Sequence, residues 1–175
     1  MEPTPSSGAE ERRPTLVLLV YCWDLVLAIL ALFGALAPLG GGVQLGGTVK
    51  PTPLAVEILA ALSSASYAVV LIIVATLLTR RQRWIQHTQI LVFALAVGLG
   101  ALSLVVAAFT GGIATGPLLV IVLFLLIDAA AILVMTERRV GAWYVETARM
   151  PWYASGTLLF WVLSAVALLV LDAVT

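Results

Sequence analysis

The chain has 175 residues, of which 62% are hydrophobic and only 10% charged, and its mean hydropathy is +1.14. A soluble domain carries roughly 45 to 50% apolar and about 25% charged residues, so this chain lacks the polar surface needed to face water and belongs in a membrane. Nine Lys and Arg against nine Asp and Glu leave no basic excess for nucleic-acid phosphates, and the single cysteine, Cys22, excludes an internal disulfide or two-cysteine redox chemistry.

Residues 1–13 contain Pro, Ser, Thr, Gly and Glu without a hydrophobic period and read as a disordered cytoplasmic tail. Residues 14–175 read as one all-α domain, a polytopic transmembrane bundle. About 20 apolar residues at 1.5 Å each cross a hydrocarbon core of roughly 30 Å. Five stretches reach that length, at about 15–39, 53–79, 88–109, 117–135 and 151–171. Pro14, Pro53, Pro117 and Pro151 open four of them, where the missing N–H costs nothing. Thr88 is the expected N-cap of the third. Pro38 falls where the first should end.

The connections are a Gly-rich 40–52, an Arg-bearing 80–87, then 110–116 and 137–150. The last holds Val140, Trp143, Tyr144 and Ala148 among charges and is expected to lie along the inner surface as a short amphipathic helix. A cleaved signal peptide fits the first span poorly, because the run exceeds an h-region of about 7 to 15 residues, contains Asp24, and would leave Pro38 directly after Ala35-Leu36-Ala37. The Thr79-Arg80-Arg81 and Trp84 pattern returns as Thr136, Arg138, Arg139 and Trp143. That echo is what inward-ending helices gather in any case.

Arg12, Arg13, Arg80, Arg81, Arg83, Arg138, Arg139 and Arg149 all fall on one side of the five spans, and Lys50 alone on the other. The positive-inside rule then places the N-terminus in the cytoplasm and the C-terminus outside. It also opposes insertion in both orientations, so two copies that pair should be parallel. Trp84, Trp143, Tyr144, Trp152 and Tyr153 near the Arg side are expected to form an interfacial aromatic belt. Arg dominates the basic residues and Asn is absent, a bias expected of a GC-rich bacterial genome, and the expected location is the cell inner (cytoplasmic) membrane. Without Asn there is no N-glycosylation acceptor.

Ionisable groups inside a bilayer are costly and are the first place to look for function. Glu57 and Asp172 lie at outer helix ends and read as anchors. Asp24 and Asp128 lie deeper, each about 12 to 14 Å from the cytoplasmic helix end at 1.5 Å per residue. No Lys, Arg or His occurs inside a span, so each acid is expected in its neutral form unless a proton, a cation or a cationic substrate supplies the missing charge. The stripe Ala28, Ala31 and Ala35 follows Asp24 on one helix face and turns it toward protein. Ser63, Ser64, Ser66 and Tyr67 in the second span and Ser164 in the fifth could complete a polar chamber. The candidate midplane proton or cation site is therefore Asp24, Asp128, Tyr67, Ser64 and Ser164. Against it stands plain helix glue, in which buried Ser, Gly98, Gly100 and neutral Asp merely join helices.

Other chemistry finds little support. His87 lies in the Arg-rich loop, one His and one Cys make a poor zinc set, and Cys22 reads as a packed thiol between Tyr21 and Trp23. No catalytic, metal or cofactor site is expected, and no cofactor. The leading expectation is a non-enzymatic integral membrane protein, an accessory or assembly subunit of a membrane complex or a small homo-oligomer. Its partners would be the lipid bilayer and other membrane subunits or further copies, with no nucleic acid. The alternative is a proton- or cation-coupled small transporter or channel using Asp24 and Asp128.

Overall fold

The computed structural model describes residues 15–40, 43–45, 48–50, 52–110 and 115–174. The tail expected over residues 1–13 lies outside them. Helix α1 spans Thr15–Leu36 and ends in a 3-10 turn, Ala37–Gly40, where Pro38 cannot continue the α-helical ladder. A short antiparallel hairpin follows, β1 (Val43–Leu45) with β2 (Thr48–Lys50), Val43 opposite Lys50. Then come α2 (Leu54–Leu77), α3 (Arg83–Thr110), α4 (Thr115–Thr136), the six-residue α5 (Arg138–Trp143) and α6 (Trp152–Val174). Five helices, α1, α2, α3, α4 and α6, are long and apolar enough to cross a membrane, so the fold is an all-α transmembrane bundle carrying one small hairpin.

The spans are not arranged in chain order. α1 packs on α2, α2 on α6, α6 on α3, α3 on α4, and α4 meets α1 again. The two hairpins of consecutive helices are thus joined on one side by α6, inserted between α2 and α3, and on the other by the α1–α4 contact. Large apolar side chains remain exposed on all five spans, among them Phe33, Leu62, Phe109, Leu126 and Leu163. That is the surface lipid tails require. Cys22 belongs to this outer surface and is not the packed thiol expected. Asp24 is two positions further on, about 200° around a helix of 3.6 residues per turn, so burying the acid turns the thiol outward.

The Arg-rich end departs most from expectation. α3 begins at Arg83, five residues before Thr88, which is itself buried within the helix. The Arg83 N–H donates to the Glu146 carbonyl at 2.9 Å, and the Glu146 N–H to the Arg81 carbonyl at 2.8 Å. A neighbouring strand-like segment thereby supplies the acceptor that a side-chain cap would otherwise give. The short amphipathic helix expected within residues 137–150 is present as α5, with Arg138 and Arg139 exposed and Val140 and Trp143 buried. After α5 the chain runs extended, pairing at Glu146 with Gln82, and it turns Tyr144 into the bundle.

The Tyr144 hydroxyl donates to the Leu78 carbonyl at 3.2 Å. Arg81 and Arg83 donate through Nε to the carbonyls of Trp143 and Tyr144, each at 3.2 Å. The Gln86 amide reaches the Met135 carbonyl at 2.7 Å. The segment therefore closes this end of the helix ring. Of the expected aromatic belt, Trp143 and Tyr144 are withdrawn into the core, whereas Trp152 is 83% and Tyr153 46% exposed at the start of α6.

Candidate functional site

Asp24 stands on the inner face of α1, with no solvent- or lipid-accessible surface. Its Oδ1 accepts a hydrogen bond of 2.7 Å from Nε2 of Gln89 on α3. Both residues are fully buried, and the bond crosses the ring between helices that are not packing neighbours. The second carboxyl oxygen, Oδ2, and the Gln89 carbonyl oxygen, Oε1, are also buried and have no hydrogen-bond partner among the described residues. Buried polar atoms are paired in the great majority of native structures, so two orphans on one hydrogen-bonded couple call for a physical reason.

The second acid is held by the residue beside the first. Asp128 on α4 is buried and accepts a 2.7 Å bond from the indole N–H of Trp23. The Trp23 ring also packs on Phe124, one turn before Asp128, with centroids 5.3 Å apart. Consecutive residues of α1 thus face two different helices, one reaching α3 and the other closing the ring at α4. Asp24 lies within electrostatic reach of Asp128, and Tyr67 on α2 within reach of both. Tyr67 in turn stacks on Trp161 of α6, centroids 4.6 Å apart and planes 20° from parallel.

One level of the bundle therefore collects side chains from all five spans. Counted from the helix ends at the Arg-rich face, Asp24 lies nine residues in, Gln89 six, Asp128 eight, Tyr67 ten and Trp161 nine. At 1.5 Å per residue these depths are about 9 to 15 Å.

The two serines of the candidate site are placed differently. Ser64 lies against Gly34, its Oγ 3.7 Å from where a Cβ would stand. Gly34 is ten residues beyond Asp24 along α1, about 15 Å at 1.5 Å per residue. Ser164 is buried but spends its hydroxyl on the Trp161 carbonyl of its own helix at 2.9 Å. Ser66 does the same with Ser63 at 2.8 Å, the usual local bond of a hydroxyl in a helix.

Two residues of the centre were missed in sequence. Gln89 carries no charge and drew no attention among ionisable groups, although a carboxamide in an apolar run is costly to bury and so is itself a signal. Trp23 read as packing around Cys22, although an indole N–H beside an intramembrane acid is a donor in search of an acceptor. Elsewhere, Asp172 is buried with Oδ1 unpaired among the described residues, Glu57 stays in the first turn of α2, and His87 is exposed on α3. No group of three or more His, Cys, Asp and Glu that could hold a metal ion occurs among the described residues. No protein-family model, curated protein or solved structure matches the chain.

Proposed function

We propose that this integral membrane protein works through its bundle centre as a proton- or cation-coupled small transporter or channel, without enzymatic chemistry, with Asp24 as the group that binds the charge. The observation that carries this reading is the fully buried Asp24–Gln89 couple with an orphan oxygen on each side. A couple whose pairing is complete only when a proton or a positive charge is held ties its own structure to that occupancy, which plain helix glue does not need. An acceptor-rich couple in a low-dielectric interior is favourable only with a positive charge or a proton on it. Asp128 and Tyr67 on neighbouring helices place a second carboxyl group and a phenol hydroxyl within electrostatic reach of it.

The alternative is an accessory or assembly subunit, whose contacts with partner helices would use the same large apolar side chains that are exposed on every span. The test is ion flux into vesicles reconstituted with the full chain, driven by an imposed pH gradient or membrane potential. Flux is expected in the native protein and at least a tenfold loss in Asp24→Asn, with folded yield retained because Asn keeps shape and hydrogen bonding. Folded protein that shows no flux, together with stoichiometric co-purification of other membrane chains, would turn the conclusion to the accessory role.

A further inference from the structure

We infer that Asp24 and Gln89 form a proton-binding couple, in which the acid and the amide close a ring of two hydrogen bonds and the ligand is a proton, not a metal ion. The inference rests on reading the bundle centre as the working site. A carboxylic acid and a primary amide are complementary: the amide N–H donates to one carboxyl oxygen, and the acid O–H donates to the amide oxygen. The first of these bonds is present, Gln89 Nε2 to Asp24 Oδ1 at 2.7 Å. The second would join Asp24 Oδ2 to Gln89 Oε1. Both of those atoms are buried and lack a partner among the described residues. A proton on Oδ2 would supply the donor that both atoms lack.

A metal ion fits the same atoms poorly. Hard divalent cations take about six or more oxygen ligands, and the couple offers two. Asp128, the further carboxylate that acts on Asp24, already has Oδ1 occupied by the Trp23 N–H. The groups acting electrostatically on Asp24 include Asp128 from α4, and Tyr67 from α2 faces both acids. Both would be neutral or negative, so among the described residues no cation competes at the centre. The basic residues of α3, Arg83 and His87, are exposed at the Arg-rich end.

Release of the proton leaves a carboxylate oxygen facing a carbonyl oxygen, two acceptors with no hydrogen between them. The remaining N–H···O bond is then the only polar tie of this couple across the ring. Proton exchange is thereby coupled to the α1–α3 contact. No bond other than O–H is made or broken, and the proton passes to water or to an incoming base.

The experiment is infrared difference spectroscopy of the full chain in lipid vesicles at neutral pH, reading the carbonyl stretch of protonated carboxylic acids. A band that shifts on labelling with carboxyl-¹³C aspartate and on exchange into heavy water is expected, with loss of its Asp24 component in Asp24→Asn. In Gln89→Leu the component should move to the position of an acid without a hydrogen-bonded partner. If Asp24→Asn does not fold, Asp128→Asn and Asp172→Asn should each leave the Gln89-sensitive component in place, which assigns it to Asp24. Absence of a protonated-aspartate band, or a band indifferent to Gln89→Leu, overturns the couple. Proton flux that depends on Asp24 without such a band sinks the couple alone, whereas the band without flux sinks the transport reading alone.

Discussion

At the scale of single residues, the bundle centre is tied together by one amide and two acids, each hydrogen-bonded across helices or to a neighbouring one. The Asp24–Gln89 bond is 2.7 Å long between two fully buried side chains, so removing either partner strands the other. A double-mutant cycle with Asp24→Leu and Gln89→Leu tests this. Each single change should cost about 1 to 3 kcal/mol, the penalty of an abandoned buried polar group. The double variant, which leaves apolar against apolar, should recover most of that loss. Thermal unfolding in detergent, followed by tryptophan fluorescence, measures all four proteins. Additive losses would show that the two side chains do not act as a couple.

At the scale of elements, two glycines of α3 that look equivalent in sequence have different surroundings. A Cβ on Gly100 would come within 2.7 Å of Cδ2 of Leu125 on α4, whereas at Gly98 nothing lies within 4 Å. A side chain at Gly100 must therefore displace the end of Leu125, whereas one at Gly98 displaces none of the described atoms. Gly100→Ile should overpack that contact and cost about 1 to 3 kcal/mol. Gly98→Ala should be neutral or slightly stabilising, since Ala is the better helix former by about 1 kcal/mol at most. Melting temperatures in one detergent compare the two, and equal losses would mean that the α3–α4 interface is not packed at Gly100.

At the scale of the whole molecule, the ends of the bundle differ in charge and in construction. One end gathers Arg80, Arg81, Arg83, Arg138, Arg139 and Arg149 and is closed by α5 and its extended continuation, which hydrogen-bond to α2, α3 and the turn between them. By the positive-inside rule that end is expected to face the cytoplasm. Alkaline phosphatase, active only outside, should be active when fused after Thr175 and inactive when fused after Gln82. The reverse pattern would invert the topology. An even split of C-terminal reporters between the two sides would indicate insertion in both orientations.

Hydropathy and length alone were enough for the five spans and the all-α class, because crossing a bilayer demands about 20 apolar residues in a hydrogen-bonded helix whatever the neighbours are. Asp24 and Asp128 stood out for the same reason, since charge in hydrocarbon is conspicuous without coordinates. Partners were not legible in this way. Gln89 meets Asp24 across 65 residues of chain and Trp23 meets Asp128 across 105, and no local period encodes which helix faces which. The insertion of α6 between α2 and α3 is likewise a matter of packing. The early start of α3 and the burial of Trp143 and Tyr144 depend on backbone bonds between Glu146 and the α2–α3 turn. Sequence composition determined that this chain enters the membrane and which residues are costly there, because solvation is a property of each residue. Only the tertiary structure decided how those costs are met, because hydrogen-bond partners and packing neighbours are properties of pairs distant in the chain.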